Sequence, residues 1–162
     1  RAGLSKGAFY HHFPSKKDVF LASLHAWLSG LELQLNKIRR VAGSVPEALM
    51  AMASEAGQEF EDMRGLAPMF LEFWNQGARD PEVWQILIAP YRHFRDLFAE
   101  MIAKGIEEGS LEDIPPAIVS QVIVSFAVGA LIQSGMDPEG ADWGLITREG
   151  VRLFLQGLER KE

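Results

Sequence analysis

Residues 16–40, KKDVFLASLHAWLSGLELQLNKIRR, decide the fold class. Phe20, Leu24, Trp27, Leu28, Leu31, Leu35 and Ile38 fall three and four apart, the spacing that puts side chains on one face of an α-helix. Just before the stripe, Ser15 and Asp18 have the spacing of a capping box, in which the hydroxyl accepts from a backbone N–H and the acid reaches back. Arg39 and Arg40 suit the negative end of that helix, and Gly43 can terminate it. At 1.5 Å per residue the stripe predicts a rod of about 37 Å.

The same period recurs downstream. Ser44-Val45-Pro46-Glu47 is a second capping box with proline in the first turn, followed by Leu49, Met52, Ala53, Ala56, Phe60 and Met63. Gly65 breaks the chain, and Leu66, Met69, Phe70, Phe73 and Trp74 form a short stripe ending near Gly77. Asp80-Pro81 pairs an N-cap with proline at the first helical position. Trp84, Leu87, Ile88, Tyr91, Phe94, Phe98, Met101 and Ile102 then carry a helix to about Lys104, which Pro90 should kink. Residues 105–115 read as an acidic loop.

The stretch 116–134 is apolar in every direction around a helix, so it is buried on both sides or spans a membrane. Ser120, Gln121, Ser125, Gln133 and Ser134 interrupt it. Its apolar part falls short of the ~20 residues a bilayer requires, and burial is the expectation. Trp143, Ile146, Val151, Phe154, Leu155 and Leu158 make a last helix over about 142–160. There is no repeat, no low-complexity tract and no alternating run that suggests a half-buried strand. The chain reads as all-α.

Its 162 residues, 48% of them hydrophobic, suffice for one or two domains with a core that needs no staples. The absence of cysteine excludes thiolate zinc sites, thiol nucleophiles and redox switches, and is compatible with a reducing cytoplasm. The first residue is Arg1 and no signal segment follows, so the sequence reads as a piece whose start lies upstream. No Gly-rich phosphate loop, HExxH, nucleophile elbow or convergent carboxylate–histidine spacing is present. The acids sit mostly on polar helix faces, where solvation explains them. Neither an enzyme, a cofactor nor a metal site is expected.

The net charge of −6 argues against a polyanionic partner, but its distribution argues for one. Residues 1–17 hold Arg1, Lys6, Lys16, Lys17 and two histidines without an acid, whereas the rest carries 12 basic against 22 acidic side chains. Within this basic head Gly3 can adopt the positive φ of a tight helix–helix turn, and Ser5 can cap a new helix. Barely two turns fit before Pro14, with Leu4, Phe9 and Phe13 inward and Lys6, Ala8, Tyr10, His11 and His12 outward. Gly7 leaves a gap through which another surface can approach the backbone. On composition alone His11 and His12 read as solvated surface; about 100° apart on a helix, they are poorly placed to share a metal ion.

Residues 2–16, Ala-Gly-Leu-Ser-Lys-Gly-Ala-Phe-Tyr-His-His-Phe-Pro-Ser-Lys, resemble the fingerprint of the TetR family of bacterial transcriptional regulators. That fingerprint runs Ala-Gly-(Val/Leu)-Ser-x-Gly-x-(Phe/Leu)-Tyr-x-(His/Tyr)-Phe-x-(Ser/Asn)-Lys-(Lys/Glu), followed by an apolar helix. The resemblance covers about the first 25 residues. It implies the C-terminal half of a helix-turn-helix DNA-binding domain over residues 1–24, and a helical ligand-sensing and dimerisation domain over 25–162. Lys6 and Ala8 would face base edges, Tyr10 and His12 phosphate, His11 either, and Lys16 phosphate at the next helix start. Ser5 and Gly7 complete that DNA-binding set.

The resemblance further implies a cytoplasmic homodimer on a near-palindromic double-stranded operator, without a membrane role, and repression as the commoner mode. Val124, Val128, Leu131, Phe154, Leu155 and Leu158 are the candidate dimer interface, preferred over the alternative in which helix 116–134 is simply the centre of a monomeric bundle. Phe60, Met63, Phe70, Trp74, Trp84, Tyr91, Phe94 and Gln133 are candidates for an effector pocket, or most of them for ordinary core. Asn75, Gln76 and His93 are further polar candidates. The effector would be a largely apolar small molecule that favours one tilt of helix 16–40. The rival reading is a helical small-molecule or lipid-binding module without DNA function.

Overall fold

Six helices account for most of residues 15–64 and 67–158, the part of the chain that the computed structural model describes. They are α1 (Lys16–Val41), α2 (Val45–Arg64), α3 (Ala67–Gly77), α4 (Pro81–Glu107), α5 (Pro116–Met136) and α6 (Trp143–Leu155). No β-strand occurs among the described residues, in keeping with the all-α expectation.

The helix starts are set by side-chain oxygens that satisfy otherwise orphaned N–H groups. Ser15 Oγ accepts from the Asp18 N–H at 3.2 Å and donates to the Asp18 carboxylate at 2.6 Å. The acid thus closes on the hydroxyl and not on the backbone. Ser44 Oγ accepts from the Glu47 N–H at 3.3 Å, while the Glu47 carboxylate takes the Gly43 N–H at 2.9 Å, one residue earlier than a capping box requires. Asp80 caps α4 through the Glu82 N–H at 2.9 Å, and Asp142 caps α6 through the Leu145 N–H at 2.8 Å. Glu108 braces the start of α2 from a distance: its Oε1 accepts from the Val45 N–H at 2.8 Å and the Ser110 hydroxyl at 2.7 Å. The Ser110 bond first, then the Val45 N–H and the Lys104 charge, hold the Glu108 carboxyl below the usual carboxylate range.

Two helix ends differ from expectation. α4 continues across Pro90 and runs to Glu107, because Gly105 is packed inside it and does not end it. A Cβ on Gly105 would lie 2.6 Å from Leu111 Cδ1 and 3.1 Å from Val45 Cβ. The left-handed turn that ends the helix falls at Gly109, φ 76°. α6 stops at Leu155, and the Leu158 carbonyl accepts from the Glu112 N–H at 2.9 Å, which ties the chain after α6 to the α4–α5 loop.

α2 packs along α6 and α4 along α5, while α5 and α6 touch each other little. α1 lies against α2 and α3, and α3 packs on α4. One core, around Ile38, Leu49, Leu97, Met101, Ile102, Leu111 and Leu155, closes the end remote from the start of α1. The other, Phe20, Leu24, Phe73 and Val83, fixes the start of α1; the Phe20 and Phe73 rings stack 4.4 Å apart.

Within the single chain α5 is buried on one side. Val119, Ser120, Val124, Ala130 and Ser134 are buried, and the two hydroxyls donate to the Ala117 and Leu131 carbonyls at 3.1 and 2.8 Å. Ile118, Val122, Phe126 and Met136 stay exposed on the opposite side. By length and composition this helix of 21 residues passes as a membrane span, as does many a core helix.

Candidate functional site

Between the α2–α6 pair and the α4–α5 pair lies a cavity of about 720 Å³, within the size range of small-molecule sites. α1 walls it with Leu24, Trp27, Leu28, Leu31 and Leu35, so nearly the whole inward stripe of that helix faces the space. α2 adds Met52, Ala56, Glu59 and Phe60; α3 adds Phe70 and Trp74; α4 adds Trp84, Ile88, Tyr91 and Phe94. Val124, Val128 and Leu131 of α5 and Thr147, Val151 and Phe154 of α6 complete the wall.

Six of the expected pocket residues, Phe60, Phe70, Trp74, Trp84, Tyr91 and Phe94, are thus brought to one cavity. The Phe70 and Trp74 rings meet edge-on at 5.5 Å, and the Trp74 and Trp84 rings at 6.2 Å. The Met63 side chain lies outside the described residues. Gln133 is a correction: it is exposed on the outer side of α5 and donates to the Gly129 carbonyl at 3.1 Å, so it does not line the cavity. Asn75 and Gln76 border a separate polar depression with Glu72, Arg79 and Asp80. His93 Nε2 lies 3.3 Å from Glu32 Oε1 on the surface, bridging α4 to α1.

The polar side chains in the wall, Trp27, Glu59, Tyr91 and Thr147 among them, are tied to partners. Trp27 Nε1–H donates to Glu59 Oε2 at 3.1 Å, joining α1 to α2. Gln121 Nε2–H donates to the Tyr91 hydroxyl, and Thr147 Oγ1–H donates to the Trp143 carbonyl at 2.9 Å. No buried side-chain nitrogen or oxygen among the described residues lacks a partner. Among the described residues Glu59 is the one charged side chain in the wall. Its place was open to sequence reasoning, since Met52, Ala56 and Glu59 stand four and three apart on one helical face.

Within the single chain the expected dimer residues fall on the cavity wall or in the core. Val124, Val128, Leu131 and Phe154 line the cavity, Leu155 is 2% exposed in the core, and Leu158 packs against that core. The apolar side chains exposed on the outside are Ile118 and Met136 of α5 and Leu145, Ile146 and Leu153 of α6, together with Val122 and Phe126 at the cavity edge. The physical reason is that α5 is apolar all round and carries no pattern that assigns its faces.

Of the expected DNA contacts, Ser5, Lys6, Gly7, Ala8, Tyr10, His11 and His12 lie outside the described residues, as does the Lys16 side chain. What is described is their attachment. Lys16 opens α1, so the helix that begins at the basic head is the helix that walls the cavity.

Residues 46–151 match the family profile described as "BetI-type transcriptional repressor, C-terminal", and residues 1–23 match "Bacterial regulatory proteins, tetR family". An uncharacterized HTH-type transcriptional regulator of Bacillus subtilis (strain 168), YfiR, is 27% identical over 96% of this chain and 76% of its own length. A putative transcriptional regulator from Saccharomonospora viridis, solved in complex with choline, aligns with a TM-score of 0.78 at 17% identity, over 99% of this chain and 83% of that one. The regulator FadR from Bacillus subtilis, solved with stearoyl-CoA, aligns with a TM-score of 0.68 at 17% identity, over 96% and 83%. At such identities the two structures speak for the fold, and the profiles, which together span both head and body, speak for the lineage. The chain belongs to the TetR family of bacterial transcriptional regulators.

Proposed function

We propose that the protein is a homodimeric repressor whose operator affinity is set by a largely apolar small molecule held in the 720 Å³ cavity. The observation that carries this reading is the double duty of α1, which starts at the DNA-reading segment and walls the cavity with its middle turns, from Leu24 to Leu35. A ligand that prefers one tilt of α1 changes the spacing of two heads that must meet successive major grooves ~34 Å apart. A preference of ~1–3 kcal/mol suffices to regulate. Residues 1–24 act as part of the reading head and residues 25–162 as the sensing and dimerising body. That similar structures carry small molecules supports an effector here. A bacterial regulator of this kind works in the cytoplasm.

Dimerisation uses the outer faces of α5 and α6. Ile118, Val122, Phe126, Leu145, Ile146 and Leu153 leave more apolar surface there than scattered single side chains would. A two-fold axis through that face pairs each patch with itself, and a palindromic operator mirrors the symmetry. In the head, Ser5, Lys6, Gly7, Ala8, Tyr10, His11, His12 and Lys16 contact the duplex.

Duplexes selected from a random library by the intact regulator test the assignment. Lys16→Ala lowers affinity for every selected duplex and reduces the salt slope by ~0.9, whereas Lys6→Ala changes which duplexes are selected. An unchanged slope in Lys16→Ala removes that residue from the interface.

A further inference from the structure

We infer that the chamber measures length: its effector is an elongated apolar molecule of about 16 Å, laid along α1 between the two cores. The inference rests on reading the cavity as the effector site and names the shape of molecule it takes. Three wall helices give the same dimension. Leu24 and Leu35 on α1 both line the cavity, eleven positions and so about 16 Å apart at the rise of a helix. Leu49 and Phe60 bound it on α2 at the same separation, and Leu87 and Phe98 repeat it on α4. A sphere of 720 Å³ would be only about 11 Å across, so the space is drawn out along the helices.

The two ends of the space are the two cores. Leu49 belongs to the core around Met101 and Ile102, and Phe98, Ile123 and Phe154 pack against that core while lining the cavity. At the other end Leu24 belongs to the Phe20–Phe73 core, and Leu28, Phe70 and Leu87 pack against it while lining the cavity. Phe20, Met101 and Ile102 are sealed from solvent. Close-packed interiors resist added volume, so neither end yields to an extra carbon. Between the ends the wall is aliphatic, from Leu31 on α1 to Val128 on α5. An all-staggered hydrocarbon chain advances about 1.25 Å per carbon, so about thirteen carbons reach from one core to the other.

The rival is a cavity that takes apolar mass of any shape, and a homologous series separates the two. The probes are linear 1-alkanols from six to eighteen carbons, and 2-butyl-1-octanol, which gathers twelve carbons into a shorter, branched body. Each is delivered from methyl-β-cyclodextrin, whose own affinity for it is measured alongside. Trp27, Trp74 and Trp84 line the cavity, so tryptophan emission of the full chain reports binding. Affinity for the native protein rises about fourfold per added methylene to about thirteen carbons and then stops rising, because further carbons meet no apolar wall. 1-Dodecanol binds at least about tenfold more tightly than its branched isomer. In Ala56→Phe a ring enters the space between the two ends of the α2 wall, seven positions from Leu49, and the rise stops at about eight carbons. A rise that continues to eighteen carbons overturns the inference, as does equal binding of the two isomers; both are read on the native protein and need no variant. A stop at the same chain length in Ala56→Phe and in the native protein overturns it too. All three results leave the effector-site reading standing. Failure of every alcohol to bind the native protein overturns that reading and this inference together.

Discussion

At the C-terminal end of α4, Leu97, Met101 and Ile102 are all but sealed from solvent against α1, α2, α5 and α6. Three turns earlier on the same helix, Trp84, Ile88 and Tyr91 border the cavity. The two regions share helices and residue types. They differ in whether the facing side chains meet. At the closed end Gly105 lets Leu111 and Val45 seat directly on α4, and Glu108 pins the start of α2 across the gap. At the chamber end α5 and α6 touch little, and the cavity lies between them. Dense packing is what stabilises a protein interior, so the closed end secures the fold and the chamber forgoes contacts that a ligand can restore.

The sharpest way to break that contrast is one substitution made at both ends. Ile102→Ala at the closed end should cost about 2–5 kcal/mol of unfolding free energy in urea, because the site is fully enclosed and collapses poorly. Ile88→Ala, on the chamber wall, should cost less than about half as much, since its side chain already faces open space. Equal losses mean that the cavity is filled by packing in solution.

The next effect concerns what covers the chamber end. Val122 and Phe126 sit both on the cavity wall and on the exposed face of α5, with the Phe126 ring over Gly150 of α6. If a second copy seals this edge, Val122→Asp weakens the dimer by about 2 kcal/mol or more, roughly thirtyfold in dissociation constant, read by sedimentation equilibrium. An unchanged association state moves the interface elsewhere.

The smallest effect belongs to the brace at the closed end. Because the folded carboxyl of Glu108 is held below its ordinary value, its stabilisation is complete above the unfolded glutamate value of about 4.3 and is lost as pH falls through the lower folded one. Glu108→Gln should therefore destabilise at neutral pH by less than about 1 kcal/mol and flatten the acid limb of the stability profile. A parallel acid limb in the variant removes Glu108 from it.

Much of this was legible from residue order. The stripe from Phe20 to Ile38 became α1, Asp80-Pro81 started α4, and the aromatic positions on α2, α3 and α4 named six members of the chamber wall. Residue order could not divide the faces of α5 for a definite reason: Val124 is chemically no different from Val122, and only the packing against α4 decides that Val124 is buried and Val122 half exposed. Glu59 was passed over because acids on helices are usually solvated, although its spacing from Met52 and Ala56 put it on the apolar face. Gly105 looked like a stop because glycine often is one, and only Leu111, arriving from the loop, makes it a packing residue.

Residue order by itself determined the helices, their caps and the basic head, because period, capping and local charge act over a few positions along the chain. The tertiary structure alone decided that a cavity exists, that Glu59 lies in its wall, and that the middle of α1 borders it. Those features depend on how far apart two helical layers stand, and that distance is fixed by side chains remote in sequence meeting face to face.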